Sequence, residues 1–68
     1  MKISARNVLT GKIVEVKKGA TTAHVRIDLG GSVVTASITN EAVDELKLAP
    51  GMMASAVIKA SDVMVAVE

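Results

Sequence analysis

Residues 22–39 constrain this chain more tightly than any other stretch. Ala23, Val25, Ile27 and Leu29 fall on one face of an extended strand, and Thr22, His24, Arg26 and Asp28 on the other. Gly30-Gly31 follows and reads as a two-residue hairpin turn, because glycine reaches positive φ without steric cost. Over residues 32–39 the return strand points Val34, Ala36 and Ile38 inward. A hairpin with one apolar and one polar face is the nucleus of an all-β domain, and the flanking segments extend it. Residues 8–17 read as a strand that is apolar on both sides, with Val8, Val14 and Val16 on one face and Leu9 and Ile13 on the other. Thr39 or Asn40 is the expected N-cap of a short helix, Glu41-Ala42-Val43-Asp44-Glu45-Leu46. Its acidic first turns suit the helix dipole, and Val43 and Leu46 share a face. Ala49-Pro50-Gly51 stops the helix and turns the chain, and residues 52–59 and 62–67 supply two further strands. The expected architecture is therefore a five-stranded OB-like barrel with one short helix between strands three and four.

The length of 68 residues allows one domain, 1–68, and no internal repeat, low-complexity tract or linker divides it. Half the residues are hydrophobic, yet Phe, Tyr and Trp are absent, so Val, Ile, Leu, Met and Ala must build the core. A domain this small buries only about 60% of its unfolded surface. One core of that size rarely supplies more than about 3–5 kcal/mol, and small proteins add a disulfide, a metal or a partner. There is no Cys, and the lone His24 cannot build a zinc site, which leaves assembly. The first and last strands, apolar on both faces, point the same way. The methionines (Met1, Met52, Met53, Met64) are read as the initiator plus core filler, and His24 as a surface residue.

Eight Lys and Arg against seven Asp and Glu give a net charge of +1, which lacks the basic excess of a nucleic-acid footprint. The longest apolar run, Val63 to Val67, falls far short of a membrane span. Met1-Lys2 leads into a polar stretch where a signal peptide would place its apolar segment, so a cytoplasmic location is expected.

Two short polar segments carry the chemistry. Ser4-Ala5-Arg6-Asn7 opens the chain, and Lys59-Ala60-Ser61 precedes its last apolar run. Each combines a cation, a hydroxyl and a small alanine that lets an approaching group reach the backbone N–H. Taken singly, Arg6 and Lys59 are the kind of residue that sits solvated on a surface, and Ser4 and Ser61 the kind that caps loops. Brought together by folding, they would hold a small tetrahedral oxyanion, which accepts hydrogen bonds from every direction. Hydrogen bonds to charged groups contribute about 1.5–3 kcal/mol each, so a handful reaches the roughly 8 kcal/mol of a micromolar site.

These segments, with the strand opening Gly11-Lys12-Ile13-Val14, the central Ala36-Ser37-Ile38-Thr39 and the closing Ile58-Lys59-Ala60-Ser61-Asp62-Val63-Met64, closely resemble the molbindins. The molbindins are small cytoplasmic molybdate- and tungstate-binding proteins made of a single Mop domain. The resemblance covers nearly the whole chain. It implies a homohexamer, a trimer of dimers, that stores molybdate or tungstate at its subunit interfaces, with no other cofactor and no protein-ligated metal. One subunit would contribute Ser4, Ala5, Arg6, Lys59, Ala60 and Ser61, and its neighbour Thr39 and Ala42. Thr39 corresponds to a hydroxyl that contacts the anion in related regulators, and a helix N-terminus there suits an anion. The regulators carry a serine three residues on, where this chain has Ala42, so the contact there falls to its backbone or is missing. The resemblance further implies a second class of anion site near threefold axes, for which Lys17, Lys18 and Gly19 form the candidate turn.

Two other classes compete. An OB-type nucleic-acid module would need aromatic platforms for the bases, at about 1–3 kcal/mol per base, and this chain has none. An enzyme would need a nucleophile and its base. There is no Cys, no suggestive His–carboxylate spacing and no phosphate loop. A Ser4 or Ser61 dyad with Lys59 has nothing around it to complete a site.

Overall fold

The computed structural model describes all 68 residues, Met1–Glu68. The elements run β1 (Asn7–Lys18), β2 (Thr22–Asp28), β3 (Val33–Thr39), α1 (Asn40–Leu46) and β4 (Met53–Ile58), followed by a 3-10 turn at Ala60–Asp62. The strands form one antiparallel sheet in the order β3-β2-β1-β4.

The 12-residue β1 organises the sheet by changing partners along its length. Its first half pairs with β4, from Asn7↔Ile58 to Lys12↔Met53, and its second half with β2, from Lys12↔Asp28 to Lys18↔Ala23. The sheet therefore curls around β1 into a half-barrel. Gly11 sits at the crossover, where a Cβ would come within 2.2 Å of the Asp28 carbonyl oxygen. Only glycine lets β1 and β2 approach so closely. Just beyond it the register shifts between Ile13 and Glu15. This bulge inserts one residue and inverts the alternation. Val16 consequently packs against the core with Ile13, while Val14 is left 47% exposed. The expected grouping of Val14 with Val16 on one face is corrected accordingly.

The 22–39 hairpin forms as expected. Ala23, Val25 and Ile27 are buried, and Val34 and Ile38 pack beside them. The Asp28↔Val33 pair and a bond from Leu29 N–H to the Ser32 carbonyl leave Gly30-Gly31 at the apex, with Gly30 at φ 95°. Asp28 Oδ1 accepts from Gly30 N–H and tightens the turn. Helix α1 closes one end of the half-barrel by burying Val43, whereas Leu46 stays 61% exposed and does not share that burial. Lys47, in the left-handed conformation at φ 53°, ends the helix before Ala49-Pro50-Gly51 turns the chain.

The structure has four strands where five were expected. Residues 63–67 pair with nothing, and Met64, Val65 and Val67 are 94%, 89% and 92% exposed. The radius of gyration is 12.6 Å, against about 11 Å for a compact chain of this length. Only 7 of 68 residues are buried. None of them is a methionine, which corrects the core-filler reading: Met52 and Met53 border the gap between β3 and β4, and Met64 lies in the tail. His24 is exposed, as expected.

Candidate functional site

The last rung of the β1–β4 ladder joins the two polar segments. Asn7 pairs with Ile58, and its side-chain amide donates to the Ile58 carbonyl at 3.2 Å. Ser4-Ala5-Arg6 leads into that rung and Lys59-Ala60-Ser61 leads out of it, so the antiparallel register sets them side by side at one end of the sheet. Ser4, Arg6, Lys59, Ala60 and Ser61 are exposed, and Ala5 is half-buried. Lys59 is extended (φ −64°, ψ 136°) and opens the 3-10 turn, whose first amides have no carbonyl to donate to within the turn. The only ion pair in the chain joins Lys18 to Asp44, so Arg6 and Lys59 are both unpaired cations. The two segments at this end of the sheet together carry two cations without an ion pair and two hydroxyls, a donor set whose only carboxylate is the neighbouring Asp62.

Thr39 and Ala42 also come together, but elsewhere. Thr39 is the N-cap of α1, and its Oγ1 accepts from the Ala42 N–H at 3.0 Å. That bond occupies the Ala42 amide and leaves the Thr39 hydroxyl proton free to donate outward. Thr39 pairs with Thr22, beside the Ala23↔Lys18 rung, so it lies at the far end of β1 from Asn7. Within one copy Thr39 and the Arg6–Lys59 end therefore lie at opposite ends of β1.

Lys17, Lys18 and Gly19 line a shallow polar recess of about 280 Å³ together with Thr22 and His24. Gly19 N–H is already engaged by the Thr22 carbonyl at 2.7 Å, and Lys18 by Asp44. Asn40 anchors the turn by donating from Nδ2 to the Gly19 carbonyl at 3.0 Å. The Lys17↔His24 pair supplies the groups that remain free. Thr22, His24 and Asn40 join this recess beyond the three residues expected there; the polar face of residues 22–28 opposite Lys17 and Lys18 was the available signal for the first two.

The largest cavity, about 530 Å³, opens between β3 and β4 and is bordered by Ile13, Ile27, Val34, Ile38, Met53 and Ala56 among others. No charged residue lines it, so it has nothing with which to hold an anion. Sequence periodicity could not reveal it, because it is the space where a further strand would lie. No cluster of His, Cys, Asp or Glu could hold a metal ion, and no helix is long and apolar enough to cross a membrane.

Residues 3–65 match the TOBE domain family. A probable molybdenum-pterin-binding protein of Haemophilus influenzae is 51% identical over 69 residues, covering 100% of both chains. The structure of MopII from Clostridium pasteurianum superposes with a TM-score of 0.90 at 43% identity, over 97% of this chain and 100% of MopII. That of the cytoplasmic molybdate-binding protein ModG, with molybdate bound, superposes with a TM-score of 0.89 at 49% identity, over 94% of this chain and 46% of ModG.

Proposed function

The chain belongs to the TOBE domain family, among its Mop-type proteins, and from that premise we propose that it binds molybdate or tungstate without catalysis. The observation that carries this reading is the Asn7↔Ile58 rung, which sets Ser4-Ala5-Arg6 beside Lys59-Ala60-Ser61. Arg6 and Lys59 supply charge, Ser4 and Ser61 hydroxyls, and Ala5 and Ala60 accessible backbone. The anion brings its own oxo shell, so the protein needs only donors, and no other cofactor takes part. Selectivity over sulfate rests on size, since molybdate is larger with the same charge and shape. Tungstate is nearly the same size and is poorly distinguished.

The whole of residues 1–68 acts as one binding domain within a homo-oligomer, a hexamer built as a trimer of dimers. Two findings support assembly: Thr39 and Arg6 lie at opposite ends of β1 in one copy, and the half-barrel leaves an apolar gap while the same chain carries an exposed apolar tail. Residues 63–67 of a second copy would fill that gap as the fifth strand and close the OB-like barrel. An interface also lowers the effective dielectric around the anion and strengthens its attraction to Arg6 and Lys59. The recess at Lys17, Lys18 and Gly19 is the proposed second anion site, with Lys17 and His24 as its free donors. The role that follows is cytoplasmic storage and buffering of the oxyanion.

Equilibrium dialysis against molybdate with excess sulfate tests this, with molybdenum read by elemental analysis and oligomer size by native mass spectrometry. Protein must be quantified by amide absorbance, because the chain has no Tyr or Trp. Saturable uptake on an oligomer, undisturbed by sulfate, is expected. Absence of uptake would sink the reading and leave an OB-like module whose ligand is a nucleic acid or a protein.

A further inference from the structure

Lys17, Lys18, Gly19, Thr22 and His24 line the recess at the β1–β2 turn, with no hydrophobic residue and no carboxylate among them. Several of its polar groups are already engaged. Gly19 N–H donates to the Thr22 carbonyl, and Lys18 is paired with Asp44 of α1. Asn40 holds the turn from the helix side, through Nδ2 on the Gly19 carbonyl and its own N–H on the Thr21 carbonyl at 2.9 Å. The turn is thus tied to α1, and the charge that remains free in the recess belongs to Lys17 and His24. These two are exposed and are direct partners in the β1–β2 register. Such a pairing sets their Cβ atoms about 4.5–5.5 Å apart.

The groups around His24 leave its charge to decide the recess. Along the same face the next rung is Glu15↔Arg26, one charge of each sign, diagonal to His24 and Lys17. On the other flank β3 sets Ser37 opposite His24, with Thr39 and Thr35 opposite Thr22 and Arg26, and none of the three carries a charge. From α1 the turn receives Asp44, which Lys18 engages, and no acidic residue of α1 lines the recess. Histidine is the side chain that changes charge between about pH 5 and 8. In an empty recess a protonated His24 stands beside the Lys17 cation, and like charges disfavour the proton; an anion between them favours it.

We propose that this recess takes up a tetrahedral dianion together with one proton, the anion bridging Lys17 and a protonated His24 with the Thr22 hydroxyl as a third donor. The inference rests on the oxyanion reading above. It adds that the second site fills as pH falls through the histidine range, whereas the site at Arg6 and Lys59 contains no histidine and does not follow it. Anion and proton are reciprocally linked: whatever factor the anion adds to the proton affinity of His24, the proton adds to the anion affinity of the recess. Uptake there is weak above the histidine range and strengthens on descending through it.

His24 is the only histidine in the chain, so its imidazole proton resonances report on the recess directly. The test titrates the full-length chain by proton NMR from about pH 8 to about pH 6, across the histidine range. It is run in molybdate and in sodium chloride of equal ionic strength, with bound molybdenum measured on the same samples by elemental analysis. Molybdate should raise the midpoint of the His24 titration. Uptake should resolve into two classes, one of which strengthens by about three- to tenfold over that pH interval. His24→Gln should abolish the pH-dependent class, and His24→Lys, which keeps a cation throughout, should restore it without the pH dependence. Uptake with an unmoved His24 titration overturns the proton coupling and leaves the binding reading standing. No uptake at any pH overturns both. A pH-dependent class that survives in His24→Gln places the titrating group elsewhere and overturns the proposal.

Discussion

Gly11 has no space for a side chain, and that single restriction shapes the sheet. An added methyl at this position would meet the Asp28 carbonyl at 2.2 Å, and a backbone carbonyl cannot rotate away as a flexible side chain could. Gly11→Ala should therefore destabilise the fold by about 1–3 kcal/mol or more, read as a lower urea midpoint. Arg6 and Lys59 are the opposite case. Both are exposed, neither is in an ion pair, and no packing depends on them. Arg6→Ala and Lys59→Ala should leave the urea midpoint nearly unchanged. Each should weaken molybdate uptake by about tenfold to a hundredfold, the equivalent of one charged hydrogen bond of about 1.5–3 kcal/mol. Normal uptake by both variants would place the anion elsewhere.

Helix α1 shows how one element serves two purposes. Its N-cap bond, Thr39 Oγ1 from Ala42 N–H, satisfies a free amide of the first turn. Because a hydroxyl both accepts and donates, Thr39 can cap its own helix and still offer a proton to an anion held by a neighbour. Thr39→Ser should keep both capping and uptake. Thr39→Ala should cost about 1 kcal/mol of stability through the lost cap, measured by urea titration, and should also lower molybdate affinity. A stability loss with unaltered affinity would confine Thr39 to capping. At the other end of the helix, Val43 was legible as a core residue but the exposure of Leu46 was not, because Leu46 borders the open gap between β3 and β4, which only the tertiary structure shows.

The whole molecule is under-buried for its composition. Half its residues are hydrophobic and 7 of 68 are buried. The tail leaves Val63, Val65 and Val67 exposed at 49%, 89% and 92%. Full burial of such side chains contributes about 1.5–3 kcal/mol each, which is comparable to the stability one core of this size supplies. Stability should accordingly depend on concentration, since association that occurs only in the folded state raises the apparent midpoint by mass action. The thermal midpoint should rise on diluting less and fall on diluting more. An invariant midpoint over a hundredfold range would argue for a self-sufficient monomer.

The sequence alone determined the hairpin at 22–39, the short helix and the identity of the two polar segments. Those features rest on local rules: alternation sets the faces of a strand, glycine permits the turn, and a Thr hydroxyl caps the first amides of a helix. Tertiary structure decided what depends on register and on closure. The bulge after Ile13 reversed the faces of β1, which no count of residues in twos could show. The Asn7↔Ile58 rung joined segments 51 residues apart, while the same ladders carried Thr39 to the opposite end of the sheet. Residues 62–67 have the pattern of a strand, yet in the single chain Asp62 closes the 3-10 turn and 63–67 remain unpaired, because a strand exists only when another edge accepts its hydrogen bonds.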